Sequence, residues 1–228
     1  MKSIIFWLFL VLSLNTSQIF GEYENTNGKP IEKSFKDLLE WSTSDVDTKI
    51  DFIELSDDWK DLNLEAENNY AIWIGHSTFL IKKNGYTILT DPVFSERASP
   101  LKNIGPKRLI PPAIPIDSLP NIDFVTVSHN HYDHLDKTTI RELVKLQPSI
   151  KYFVPLGLAD ILRSWGAIDV TELDWWQPVM FRDVEIQPTP VKHWSKRTFF
   201  DRNKSLWSGW MMKWDDFCLL YTSDAADE

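Results

Sequence analysis

Three of the chain's five histidines fall within six residues, in His129-Asn130-His131-Tyr132-Asp133-His134. Neutral imidazoles with a carboxylate suit zinc and related divalent ions, and a mixed nitrogen and oxygen set argues against a hard-cation site for calcium or magnesium. A plain polar loop is the weaker reading, because imidazoles this close repel once charged and gain little without a metal. Asp133 and His134 are adjacent, so their side chains diverge and one short loop can serve two metal positions. A metal loop of this kind needs at least one ligand from a distant segment. His193, at the end of the extended run Val184 to Val191, is the obvious supplier; a buried structural histidine is the alternative reading. His76 stands alone in a strand break and is read as hydrogen-bonded structure, outside the ligand set. Asp91 closes another apolar run, where it either steadies the loop histidines as an acceptor from behind or simply forms a turn.

These residues need strands to deliver them. The apolar run Ile122 to Val127 ends at Ser128 and reads as a buried strand feeding the histidine loop. Upstream, Ala71 to Ile81 reads as two strands broken at Gly75-His76. Asn84-Gly85 is a strong hairpin signal, and Tyr86 to Thr90 is the returning strand. Ser95 to Pro120 is too rich in proline for a helix and reads as a long ordered excursion. Asp136 or Thr138 then caps a helix to about Leu146, ended by Pro148. A strand at Tyr152 to Val154, a short helix from Gly157 to Trp165 and a strand at Asp169 to Leu173 follow. Trp207 to Trp214 is a last strand, with Asp215-Asp216 turning a hairpin whose partner strand should come next. Strand–helix alternation with candidate ligands at strand ends indicates an α/β layered domain.

At 228 residues the chain can bury one sizeable core, and one domain is the default. A formal net charge of -9 and a pI near 5.1 argue against nucleic acid as a partner. Residues 1–21 read as a signal peptide or N-terminal anchor, with Lys2 as the positive region and Ile4 to Leu14 as an apolar stretch too short to span a bilayer comfortably. Export to the periplasm or medium, with membrane association if the anchor is kept, is the expectation. Residues 22–69 read as a polar arm, packed on the domain or a flexible linker, with a helical patch from Ser34 to Trp41. The domain proper is expected over 70–217. Residues 218–228, which hold the single cysteine, Cys218, look like the translation of a sequencing adapter and are expected to be non-native. One cysteine excludes a disulfide framework within the chain.

With His129, His131, Asp133 and His134 in a His-x-His-x-Asp-His run after a strand, the chain resembles the metallo-β-lactamase superfamily. Within it, the resemblance is to the branch of N-acyl-phosphatidylethanolamine-hydrolysing phospholipase D. That narrower likeness is carried by Gly75-His76-Ser77-Thr78, Asp91-Pro92-Val93-Phe94-Ser95, Gly105-Pro106-Lys107-Arg108, Leu173-Asp174-Trp175-Trp176 and His193-Trp194-Ser195-Lys196-Arg197-Thr198. It covers about Tyr70 to Trp214. It implies a four-layer αββα sandwich, two facing sheets between outer helices, incomplete here at its C-terminus. It also implies zinc: one ion on His129, His131 and His193, the other on Asp133 and His134. The bridging Asp of a Gly-Asp-Thr-Gly turn and a late histidine are expected beyond Asp216, where the chain leaves the family pattern. Two zinc ions are thus expected in a full-length parent, with the second site short of ligands in this chain.

The implied reaction is attack of a metal-bound hydroxide on the phosphodiester of an N-acyl-phosphatidylethanolamine-like lipid, with Asp133 orienting the nucleophile and shuttling its proton. A phospholipid or other small amphipathic substrate is the expected partner, with peripheral membrane contact. Trp194, Lys196 and Arg197 are candidate substrate contacts, while Trp175 and Trp176 are expected in the core. Two other readings stand beside this one: a metal-dependent lactonase or other metallo-hydrolase, and an inactive fragment binding at most one zinc.

Overall fold

The computed structural model describes residues 22–29, 31, 56–65, 69–101, 103–198 and 200–223. The signal segment, the helical patch from Ser34 to Trp41 and the last residues from 224 lie outside them. Among the described residues ten strands form two sheets. The first runs β1 (Tyr70–Gly75), β2 (Thr78–Lys83), β3 (Tyr86–Thr90), β4 (Phe124–Thr126), β5 (Lys151–Pro155) and β6 (Asp169–Leu173), paired in that order. Its first three strands are antiparallel and the rest parallel. The second sheet is antiparallel, in the order β10 (Cys218–Tyr221), β9 (Gly209–Lys213), β8 (Val184–Thr189) and β7 (Val179–Phe181).

Burial explains why the two sheets read differently in sequence. All five residues of β3 are buried, as expected of a strand covered on both faces. β8 alternates, with Val184 and Ile186 inward and Glu185 and Gln187 partly exposed, the period-2 pattern of a half-buried strand. Between the sheets, Ile88, Phe124 and Phe153 pack against Ile186, Trp210 and Met212. The Phe124 and Phe153 rings meet edge to face at 5.6 Å, so truncating either to Ala should cost about 3–5 kcal/mol.

On the other face of the first sheet, Leu89, Val125 and Val154 share a core with Ile140 and Leu143 of helix α1 (Lys137–Leu146) and Ala159 and Leu162 of helix α2 (Ala159–Ser164). Asp136 caps α1, accepting from the backbone N–H of Thr138 and Thr139 at 3.1 and 3.2 Å, which satisfies two of its free amides. One helical layer and both sheets of the αββα sandwich therefore lie among the described residues.

The sequence reading placed most of these elements. Asn84 and Gly85 turn the β2–β3 hairpin with φ of 49° and 81°, the positive pair a type I′ turn needs. β7, only three residues long, carried no signal strong enough to see. Cys218–Tyr221, the start of the stretch read as a foreign tail, pairs with β9 from Cys218↔Lys213 to Tyr221↔Trp210. It occupies the place where a partner strand was expected. The described parts of the arm pack on the domain: Trp59 and Leu64 join the helix-side core, and Tyr23 N–H donates to Asn203 O at 2.8 Å.

Candidate metal centre

Strand direction brings the chemistry to one edge. β3 and β4 are parallel, so their C-terminal ends deliver Asp91 and the histidine loop side by side, where α/β sheets place their sites. The extended segment after β8 brings His193 to the same place. His193 Nε2 lies 2.9 Å from His129 Nε2 and 3.3 Å from His131 Nδ1, and the last two atoms are 2.8 Å apart. Three ring nitrogens thus converge on a single point.

A second convergence abuts the first through the rings of His129 and His134, 4.2 Å apart. Here His76 Nε2 lies 3.2 Å from His134 Nε2 and 3.4 Å from Asp133 Oδ2. Each triad's donor atoms fall within 4.8 Å of one another, close enough to hold a metal ion. His76 is the residue that sequence reasoning set aside. A register shift in the β1–β2 pairing between Trp73 and Gly75, with Gly75 at φ 138° and His76 at φ 48°, aims its ring at the loop. Such bulges commonly re-aim a side chain beside a site, and Gly75-His76 inside an apolar run was the available signal.

The wholly buried Asp91 organises both triads from behind. Its carboxylate accepts from His134 Nδ1 at 2.8 Å and from the Ser128 and Tyr221 hydroxyls at 2.6 Å. Because the Ser128 hydroxyl spends its one proton on Asp91, its contact with His129 Nδ1 at 2.8 Å must be accepted from the ring. Both His129 and His134 are then Nδ1–H tautomers whose Nε2 atoms face the triads as acceptors. Two imidazole nitrogens from distant segments thus meet unprotonated acceptors on the loop, and the convergent nitrogens and carboxylate oxygen make a donor set that fits a divalent ion. The nitrogen-rich composition suits zinc.

The electrostatics agree. Burial holds the His129 pKa well below its ordinary value, helped by the neighbouring imidazoles of His134, His131 and His193. Burial pushes the Asp133 pKa up, but the hydrogen bond from His76 and the charges of His134, His76 and His131 outweigh it, leaving the carboxyl well below the usual range. Both groups are in the ligand-competent form at neutral pH.

The centre opens into a cavity of about 720 Å³ whose apolar wall includes Trp73, Val93, Leu109 and Ile110. Trp194 lines it as expected, its ring 4.5 Å from His131, and Lys196 lies on the same wall. Arg197 does not. Its guanidinium turns under the metal loop, donating to Asn130 O at 3.0 Å and Leu135 O at 2.6 Å and stacking on Tyr132 at 4.1 Å. The carbonyls of a tight loop need donors, and a planar fork supplies them better than a substrate would. Trp175 is partly buried, with Nε1–H bonded to Trp207 O, whereas Trp176 departs from the expectation of core and is 61% exposed. Asn25 went unremarked in the sequence, yet its Oδ1 accepts from His193 N–H at 2.9 Å.

Comparison with known proteins now decides the family. Residues 86–227 match the model of the beta-lactamase superfamily domain. The chain belongs to the metallo-β-lactamase superfamily. Within the superfamily it is similar to a Caenorhabditis elegans protein named N-acyl-phosphatidylethanolamine-hydrolyzing phospholipase D 1, 41% identical over 150 residues, which cover 62% of this chain and 42% of the worm protein. An uncharacterised Mycobacterium tuberculosis protein is 45% identical over 148 residues, 64% of this chain and 39% of that protein. The chain thus spans less than half the length of these curated relatives. Among solved structures, a possible metal-dependent hydrolase from Veillonella parvula shares the superfamily fold with a TM-score of 0.56 at 21% identity, over 70% of this chain and 63% of that one.

Proposed function

We propose that this domain is a hydrolase using two divalent ions, zinc in our reading, to cleave a phosphodiester of an N-acyl-phosphatidylethanolamine-like lipid. The observation that carries the reading is the pair of donor triads, built on one shared loop, opening into an apolar cavity with cations on its wall. His129, His131 and His193 would hold one ion; His76, Asp133 and His134 would hold the other. When bound, such ions lower the pKa of a water molecule to about 7 and polarise a phosphoryl oxygen.

The chain's own residues do the rest. Asp133, ionised at neutral pH, can accept a hydrogen bond from the attacking water and orient it, its lowered pKa keeping it an acceptor throughout. Asp91 and Ser128 fix the two imidazole tautomers. Trp73, Trp194 and the aliphatic wall exclude bulk water and offer acyl chains an apolar surface. Water adds across the P–O bond, leaving phosphatidate and an N-acylethanolamine. The relatives' names support this substrate class, and His76, as a third donor beside Asp133 and His134, supports a second ion over the reading of an inert fragment with one.

The test is to load the full chain with zinc and follow N-acyl-phosphatidylethanolamine by mass spectrometry. Release of phosphatidate that stops on chelation is the expected result. Cleavage of lactones with the phospholipid left intact would instead establish the carbonyl-hydrolase reading.

A further inference from the structure

Arg108 is one of the wall cations, and no step of the proposed reaction gives it a role of its own. It lies on the cavity wall with His76, His131 and Asp133, partly buried, and two backbone carbonyls aim its guanidinium: Nε–H donates to Ile110 O at 2.8 Å and Nη1–H to Val93 O at 3.1 Å. Its backbone N–H is tied to Glu96 O. Gly75 makes room for the remaining nitrogen, since a Cβ there would sit 2.6 Å from Arg108 Nη2. The guanidinium therefore lies beside the turn that carries His76.

Its neighbours are differently committed. Lys107, also on this wall, is spent on Glu96, with Nζ to Oε1 at 2.6 Å. Arg108 is held by neutral carbonyls, and among the described residues no carboxylate forms an ion pair with it; Asp136 acts only through space. A partly buried cation without a counter-charge is costly, and a guanidinium stays protonated whatever the cost. An anion entering the cavity relieves that cost. The N–H groups left on Nη1 and Nη2 match the oxygens of a phosphate better than any neutral headgroup.

We propose that Arg108 is the anion seat of this cavity and binds the phosphate of an amphipathic substrate as its apolar part lies along the wall. The proposal rests on the phosphodiesterase reading for its substrate class, but it concerns binding and can fail separately. The wall residue Lys196 offers a second cation at the same cavity.

Calorimetric titration of the zinc-loaded full chain with short-chain phosphatidate, diacylglycerol of the same chains and inorganic phosphate tests this directly. The wild type should prefer phosphatidate to both by about tenfold or more, the range of a charge-assisted bond. Arg108→Gln should cut the preference over diacylglycerol by about tenfold while leaving diacylglycerol affinity and zinc content unchanged, and Arg108→Lys should keep part of it. A purely structural role would lower both lipid affinities together, which overturns the proposal, as does an unchanged ratio in Arg108→Gln. Should Arg108→Gln fail to fold, the wild type still decides: equal affinity for phosphatidate and diacylglycerol rejects the seat, and equal affinity for inorganic phosphate rejects its lipid assignment. Lipid hydrolysis without any Arg108 effect would sink this inference and leave the phosphodiesterase reading standing.

Discussion

His134 donates its Nδ1 proton to Asp91 Oδ2 at 2.8 Å, and both side chains are completely buried. The same carboxylate takes the backbone N–H and hydroxyl of Ser128, each at 2.6 Å, and the hydroxyl of Tyr221. One anion thus fixes the ring orientation of His134 directly and of His129 through Ser128. Burial, the Asp91 charge and the hydrogen bond to Asp91 push the Tyr221 pKa far above its ordinary value, so that phenol remains a donor throughout the working range.

Asp91→Ala should therefore be the most damaging change at the site outside the triads. It removes the acceptor of four donors at once, of which the Tyr221 hydroxyl keeps Ser77 O as a second acceptor, an effect of about 3–5 kcal/mol, and should weaken zinc binding about 10- to 100-fold. Asp91→Asn keeps an oxygen and tolerates the φ of 35°, yet its amide must face at least one donor, so an intermediate loss is expected. Thermal melts and competitive zinc titration measure both. Wild-type affinity in Asp91→Ala would separate Asp91 from the metal centre.

His76→Ala should reduce bound zinc from about two equivalents per chain to about one, and His193→Ala should do the same from the other triad. Metal analysis after dialysis, read beside circular dichroism, checks each. Two equivalents retained by His76→Ala would return His76 to the hydrogen-bonding role read for it in the sequence.

Chemistry with a local signature was legible in the sequence. Imidazoles spaced 129, 131 and 134 after a β-branched strand can hardly be read otherwise, and Asp91 at a strand end was one of two readings, of which the geometry selected the acceptor. The place of His76 beside Asp133 and His134 depends on a bulge that displaces the β1 register, a property of pairing and not of composition. Arg197 was misplaced for a related reason. A cation beside a metal histidine attracts a substrate role, and nothing in the sequence shows that the loop carbonyls of Asn130 and Leu135 lie closer. The fold itself was readable wherever alternation or turn chemistry was strong. β7 is a three-residue edge strand defined by its neighbour, so only pairing reveals it.

Zinc-free stability should fall on mild acidification. His129 has a folded pKa well below its ordinary value because of burial and its imidazole neighbours. Below about pH 6.5 the unfolded chain binds a proton there that the folded chain refuses, so stability drops by up to about 1.4 kcal/mol per pH unit. Asp133 contributes in the same direction but in a lower pH window. Its depressed carboxyl stabilises fully above about pH 4 and is lost only below that. Melts from about pH 7 to 5 should decline in the wild type and flatten in His129→Asn. A flat wild-type profile would contradict the buried neutral ring.

Arg197→Ala should loosen the metal loop without altering the cavity wall. Removing the guanidinium leaves two loop carbonyls without their donor and takes a stacked cation off Tyr132, a loss of about 2–4 kcal/mol. Arg197→Lys should recover little, because one ammonium reproduces neither the fork nor the stack. The readout is the unfolding midpoint together with zinc affinity. Full rescue by Lys would show that charge alone matters and would argue against the clamp.

The described arm residues reach the centre through Asn25. It is buried, accepts from His193 N–H at 2.9 Å and ties itself to Lys29 O through Nδ2 at 3.1 Å. Asn25→Ala leaves the His193 amide without that acceptor, a cost of about 1–3 kcal/mol, and frees the segment that presents His193. Zinc at the His129, His131 and His193 triad should weaken about tenfold, while the triad of His76, Asp133 and His134, which has no contact with the arm through this bond, should hold its ion unchanged. Asn25→Asp keeps the accepting oxygen but loses the Nδ2 bond to Lys29 O and buries a charge, so a partial recovery of affinity is expected. Stepwise titration against a chromophoric chelator resolves the two sites. An equal loss in Asn25→Asp and Asn25→Ala would mean that the oxygen is not what positions His193, and the arm would be reduced to a packing element.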